Sequence, residues 1–230
     1  DRDEEIYCAI QRMHNKVFRR NKKEYDRLSD HIGLIPVVVI SPADSCLITE
    51  GSDERRKFMN SVISQFDLQY LEDNIRFNHL MMQRNKLLKE VTVSGRTDEE
   101  TMAVYDEQII PYAERIYNRR KDFTSRLIPV FRKYYDFISR EHETVNLAYH
   151  SQLSHGSYRD LLVEARNKDQ ILQYSTVGIH KDDLGLTLDG LPIKRIGSQG
   201  QQKTYLVALK LAQFDFIKAV NNTLPIFLFD

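Results

Sequence analysis

Gly197-Ser198-Gln199-Gly200-Gln201-Gln202-Lys203 opens a strongly apolar segment that runs on through Leu206, Val207, Leu209, Leu211, Ala212, Phe216 and Ile217. A helix beginning here presents free backbone N–H groups and the positive end of its dipole. Ser198 adds a hydroxyl, and Gly200, with no side chain, would let a phosphate approach the backbone. The same residues also make an ordinary helix start, so the stretch alone leaves both readings open. Further on, Leu224-Pro225-Ile226-Phe227-Leu228-Phe229-Asp230 is an apolar strand ending in a carboxylate. A buried strand that delivers an Asp to its C-terminal edge suits a Mg²⁺ site beside nucleotide phosphates, although many strands end in Asp.

The elements that must position these residues follow from apolar spacing. Residues 4–20 read as a β-hairpin: Ile6, Cys8 and Ile10 alternate at period two, and Met13-His14-Asn15 turns the chain toward Val17-Phe18. Val37–Ile40 is a short β-branched run typical of a buried strand, and Ser41-Pro42 looks like a helix start. Ser52 is expected to cap a helix whose first turn carries Glu54. Helical spacing continues through Phe58, Val62, Phe66, Leu68, Leu71, Ile75, Leu80 and Leu87, with a break near Asp67 that divides it into two helices. After a turn at Val93-Ser94-Gly95-Arg96, Thr97-Asp98-Glu99-Glu100 matches a capping box. The next helical segment reaches about Arg140, and Pro111 and Pro129 are expected to kink or divide it. The aromatic stripe along residues 105–135 has the spacing of a packing face. Beyond it the pattern predicts a strand at Val145–Tyr149, a helix at Tyr158–Leu172 and a strand at Leu184–Leu188. Asp189-Gly190 is a hairpin turn with a returning strand at Leu191–Arg195, followed by a helix from Ser198 to about Val220 and the strand Ile226–Phe229. The fold class is α+β or α/β. Residues 1–50 and 144–230 form a core of strands and helices, and residues 51–143 form an inserted antiparallel helical arm.

Composition supports this reading. The 230 residues include 33 Lys plus Arg against 33 Asp plus Glu, so the chain is neutral, which excludes coating of nucleic acid by bulk charge alone. Nine glycines and six prolines are few, as expected of long uninterrupted elements. No apolar run approaches the ~20 residues of a membrane helix, so no membrane association is expected. Cys8 and Cys46 stand apart without a CxxC pair, which fits a reducing compartment and gives no support for zinc. The abrupt start at Asp1 and end at Asp230 suggest a piece of a longer protein.

A Ser-Gly-Gln helix followed by an apolar strand ending in Asp is the order of the signature and Walker B motifs in ABC-type ATPases. Within that class the chain resembles the RecF family of bacterial DNA replication and repair ATPases along nearly its whole length. V-V-V-I-S-P-A-D at Val37–Asp44 is similar to the family's strand followed by Ser-Pro-Glu/Asp-Asp. I-T-E-G-S-D-E-R-R-K-F-M-N at Ile48–Asn60 resembles Gly-x-Pro-x-x-Arg-Arg-x-Phe-Leu-Asp. Q-R-N-K-L-L-K at Gln83–Lys89 and G-I-H-K-D-D-L at Gly178–Leu184 match two further stretches, and G-S-Q-G-Q-Q-K stands where the family has Leu-Ser-x-Gly-Gln-x-Lys. Gly197 in place of Leu, Asn60 in place of Asp, and Ile179 and Lys181 in place of Pro and Arg are departures. Lys181 keeps the charge but loses the planar fork of Arg. No G-x-x-x-x-G-K-[ST] phosphate loop occurs in the 230 residues.

The resemblance implies an incomplete ABC-type ATPase core with ATP and Mg²⁺ as cofactors and an ATP-dependent homodimer as the working state. Ser198 and the Gly200 amide would contact a γ-phosphate held by the partner's phosphate loop, with Gln199, Gln201 and Lys203 completing the stretch. Asp230 would be the catalytic-site carboxylate that holds Mg²⁺. Closure would clamp DNA at gaps or single-strand/double-strand junctions and help to load a recombinase, with RecR- and RecO-type partners, a link to the SOS response and a cytoplasmic location. The intact protein would be a weak DNA-dependent ATPase, and this chain alone would be inactive. Candidate DNA contacts are Arg19, Arg20, Lys22 and Lys23 in one basic stretch, Arg119 and Arg120 in a second, and Arg55-Arg56, which could equally brace the arm through carboxylates. His180, Lys181, Asp182 and Asp183 form a further motif that could face nucleotide or partner or make a structural turn. The contrasting reading is a non-enzymatic helical module for docking or dimerisation.

Overall fold

The computed structural model describes residues 3–13, 16–94, 99–140, 143–221 and 223–230. Strands β1 (Ile6–Ala9), β2 (Val17–Arg20) and β3 (Lys23–Glu24) form an antiparallel sheet with Cys8 opposite Phe18. Strand β4 (Val37–Ile40) leads to a 3₁₀ turn at Pro42–Ser45, where the Ser41 N–H donates to Asp44 Oδ2 at 2.8 Å. A short helix α1 (Cys46–Thr49) follows, then α2 (Ser52–Ile63), α3 (Leu68–Ser94) and α4 (Glu99–Ser139). The break at Asp67 is present, and its carboxylate accepts the Tyr70 N–H at 2.9 Å to start α3. Gly51, not Ser52, occupies the N-cap of α2; Ser52 is its first residue, and its hydroxyl accepts from Arg56 Nη1.

Helix α4 runs through Pro111 and Pro129 without dividing. Each ring removes a bond to the carbonyl four residues back, at Glu107 and Ser125. Both of those residues are exposed, so water can satisfy the freed carbonyls. The expected turn and capping box between 93 and 100 fall partly on residues outside the described ones, as do His14 and Asn15 of the expected hairpin turn.

The second half builds an antiparallel sheet from β5 (Val145–His150), β6 (Asp183–Leu188) and β7 (Leu191–Pro192), with α5 (Tyr158–Leu172) between the first two. Val145 and Leu147 lie opposite Leu188 and Leu186, and these alternating residues are buried. Asp189 and Gly190 both have positive φ, the geometry of a tight hairpin. The returning strand is shorter than its apolar pattern predicts. Pro192 has no N–H for the ladder, and Ile193 turns into the core to begin a helical turn, α6 (Ile193–Ile196).

Helix α7 (Gln199–Asn221) packs along α4: Phe131 lies 4.6 Å from Tyr205 between ring centroids, and Phe123 meets Phe216 edge-on at 5.1 Å. Strand β8 (Ile226–Phe229) then pairs in parallel with β4, Val38 opposite Phe227. One continuous apolar core joins α2, α3, α4, α7 and the β5–β6 sheet. Among the described residues no helix is long and apolar enough to cross a membrane.

Candidate functional site

Ser198 and Gln201 close a reciprocal cap at the start of α7. The Ser198 N–H donates to Gln201 Oε1 at 2.7 Å, and the Gln201 N–H donates to Ser198 Oγ at 3.2 Å. This is the Gln form of the capping box. Gln201 Nε2 also donates to Glu143, which accepts from Tyr135 at the end of α4. The cap is therefore fastened to the segment that joins α4 to β5. Ser198, Gln199, Gly200 and Lys203 are exposed. As the first helical residues, Gln199 and Gly200 have no carbonyl four residues back to receive their N–H groups.

The two glycines of this turn differ. A Cβ on Gly197 would lie 2.7 Å from Ile193 Cγ1 and 2.8 Å from the Ile193 carbonyl, so close packing requires glycine there. A Cβ on Gly200 would meet only Ser198 Oγ, at 3.9 Å. Nothing among the described residues calls for glycine at 200.

Asp230 follows β8, and its N–H donates to the Ile40 carbonyl at 3.0 Å, which places it beside the end of β4. Asp44, just beyond that end, receives Lys210 Nζ of α7 at 2.6 Å. Lys210 lies about 18 Å along the helix from Ser198 at 1.5 Å per residue. Ser198 and the strand-end carboxylate thus occupy separate parts of the chain. Among the described residues no group of three or more His, Cys, Asp or Glu could hold a metal ion. Asp230 alone offers one hard oxygen ligand, which fits Mg²⁺ only where phosphates and water complete its shell.

The Gly178–Leu184 motif is the hub of an internal network. Asp182 is fully buried; its Oδ2 accepts from Arg120 Nη1 at 2.6 Å and from the Tyr149 hydroxyl at 2.5 Å. Burial pushes the Asp182 carboxyl above its ordinary value, against the pull of Arg120, and burial with Asp182 pushes the Tyr149 phenol up. Arg120 also donates to the Ile179 carbonyl, Asn60 Oδ1 and the Tyr70 hydroxyl. Arg55 grips Asp183 through two bonds of 2.7 and 3.0 Å, and Arg56 donates to the Asp182 carbonyl. His180 Nε2 lies 3.0 Å from the Ser175 carbonyl, and burial drives its pKa down to about 4. Lys181 lies over the Tyr174 ring.

These contacts correct one expectation. Arg120 is 2% exposed and ringed by protein acceptors, so no DNA phosphate reaches it in this conformation. Arg55 and Arg56 brace the chain through the Asp182-Asp183 turn. The rest of the second basic stretch lies at the surface: Arg115 pairs with Asp73, Arg119 with Asp67, and Arg132 donates to Asn146, each with an exposed side chain. Of the first stretch, Arg20 pairs with Glu4 and Arg19 lies over the Tyr7 ring, while Lys22 and Lys23 are exposed at the turn between β2 and β3.

A second buried network was not anticipated. Arg84, fully buried on α3, reaches Asp106 on α4 and both Asp169 and Ser175 at the end of α5, each at 2.7 Å. Asn85 accepts from the Ser175 N–H. The signal was present: Phe77, Arg84 and Leu88 recur at seven and four residues, one helical face.

No family model matches the chain. Among curated relatives, the DNA replication and repair protein RecF of Phocaeicola vulgatus is 51% identical over 228 residues, which are 99% of this chain and 61% of that protein. The protein of the same description from Flavobacterium johnsoniae is 48% identical over 230 residues, 100% of this chain and 64% of that one. A solved structure of the recombination mediator protein RecF with ATP, in the RecFOR pathway, superposes with a TM-score of 0.91 at 26% identity. It covers 99% of this chain and 63% of the solved one.

Proposed function

This chain belongs to the RecF family over the part that it spans, about 61% of a curated relative's length, and on that premise we propose that it supplies the signature half of an ATP-dependent DNA clamp. In a head-to-tail dimer, Ser198 Oγ and the exposed N–H groups of Gln199 and Gly200 face the γ-phosphate of a nucleotide held by the other protomer. They stabilise charge that develops on the transferred group, as preformed donors at a helix N-terminus can. Lys203, one turn along, adds a cation to the same end. Asp230 would hold Mg²⁺ in the protomer's own site, with the nucleotide phosphates as the remaining ligands; the ion supplies charge neutralisation there. ATP-driven closure clamps DNA at gaps and assists recombinase loading, and RecR- and RecO-type proteins are the expected partners in the cell. Lys22 and Lys23 are the best-placed DNA contacts, because their ammonium groups are exposed and make no ion pair among the described residues.

The observation that carries this reading is Gly200. Its backbone needs no glycine and its neighbourhood is open, so the close approach that favours glycine comes from a group outside the chain. Ser198→Arg in the full-length protein tests it. Retained folding with loss of ATP-driven dimerisation supports the reading, and unchanged dimerisation by light scattering refutes the role in trans.

A further inference from the structure

A groove of about 620 Å³ lies between α4 and the C-terminal half of α7, away from the Ser198 turn. Its apolar lining comes from Val130, Phe216, Ala219 and Leu224. Leu224 is 70% exposed, a large apolar side chain at the lip. Three cations stand around this lining: Arg126, Lys133 and Lys218. Lys133 and Lys218 are exposed and make no hydrogen bond or ion pair among the described residues. Arg126 lies over the Phe216 ring at 4.9 Å and reaches Asp122, with half of its side chain still open. Asp215, the one carboxylate of the lining, accepts from the Tyr134 hydroxyl at 2.5 Å. The groove therefore combines an apolar floor with a net positive rim.

We propose that this groove docks an acidic peptide segment of a protein partner, with one bulky apolar side chain seated on Val130, Ala219 and Leu224 and carboxylates paired to Lys133, Lys218 and Arg126. Charge complementarity selects the occupant: unpaired cations around an apolar pocket favour a segment that brings anions and an apolar anchor together. Nucleic acid is disfavoured because the one aromatic side chain of the lining, Phe216, is 5% exposed and already covered by Arg126, which leaves no open ring for a base to stack on. A carboxylate of the same lining, Asp215, also repels a phosphate.

The test uses fluorescence anisotropy with the full-length protein and a labelled peptide of Glu and Asp around a central Phe-Leu pair. Lys133→Glu with Lys218→Glu should weaken binding at least tenfold, and so should replacing the peptide's Phe-Leu by Ser-Ser. Both lysines are exposed, so far-UV circular dichroism should be unchanged. Leu224→Ser provides a second variant that leaves the charges in place and should also weaken binding. Ser198→Arg should leave peptide binding intact, which separates this proposal from the nucleotide reading. Equal binding by the charge-reversed protein, or by the Ser-Ser peptide, overturns it. A single-stranded oligo-dT that binds through the same two lysines, where the peptide does not, reassigns the groove to nucleic acid.

Discussion

Arg120 of α4 and Asp182, at the end of the turn before β6, meet at 2.6 Å in the interior, with 2% and 0% of their side chains exposed. The pair joins the middle of the longest helix to the motif that opens β6, and Tyr70, Tyr149 and Asn60 close around it. Removing one partner strands the other charge in a low dielectric, which costs about 3–5 kcal/mol. Arg120→Met should therefore lower unfolding free energy by that amount in urea titration, and Arg120→Met with Asp182→Leu should recover part of the loss. A single variant within about 1 kcal/mol of the parent would show that the pair is not structural.

Gly200→Ala separates fold from nucleotide contact. An added methyl touches only Ser198 Oγ, at 3.9 Å, and Ala favours helix over Gly by up to about 1 kcal/mol. The thermal midpoint should hold or rise slightly, while ATP-driven dimerisation of the full-length protein falls at least tenfold. Unimpaired dimerisation would remove the case for a phosphate at this turn.

Gly197→Leu behaves in the opposite way. The family's Leu would have to displace Ile193, whose side chain and carbonyl both lie inside contact distance of the new Cβ. Overpacking of this kind costs roughly 1–3 kcal/mol. A drop in urea midpoint with unchanged slope is the expected signature.

His180 sets an acid limb. Its folded pKa of about 4 lies below the ordinary 6.5, mainly because burial disfavours the charged ring, and Lys181 and Arg56 add repulsion against the pull of Asp169. The unfolded chain binds the proton more readily, so stability is full above pH 6.5 and declines as the pH falls toward 4. The total effect is about 3 kcal/mol. His180→Gln should flatten this part of the stability profile, measured by urea titration at stepped pH; an unchanged slope there would assign the limb to other groups.

Much of this architecture is legible in the apolar spacing, because residues that face one core must recur with the period of their element. The helices at 158–172 and 199–221, the strands β4 and β8 and the break at Asp67 all follow that rule. The returning strand after Asp189-Gly190 failed because Pro192 withdraws a donor that a residue-by-residue apolar count does not see. Arg120 was misplaced because an Arg among other basic residues reads as a solvated face. Its spacing from Ile116, Phe123 and Leu127 puts it on the buried stripe, while Arg119, one residue earlier, points outward. Where its donors go is a matter of tertiary partners, among them Asp182 and Tyr70, far away in sequence and invisible to local pattern.

The parallel pairing of β4 with β8 sets a condition on the order of assembly. Nearly the whole chain separates Val38 from Phe227, yet they are neighbours in one ladder. Contacts of such long range close late, because the loop entropy must be overcome before the bond forms. β4 leaves the ribosome well before β8, so the edge that they share waits unpaired while the helices between them form. Val39, 41% exposed even in the finished fold, would then be one residue at which a nascent chain needs protection.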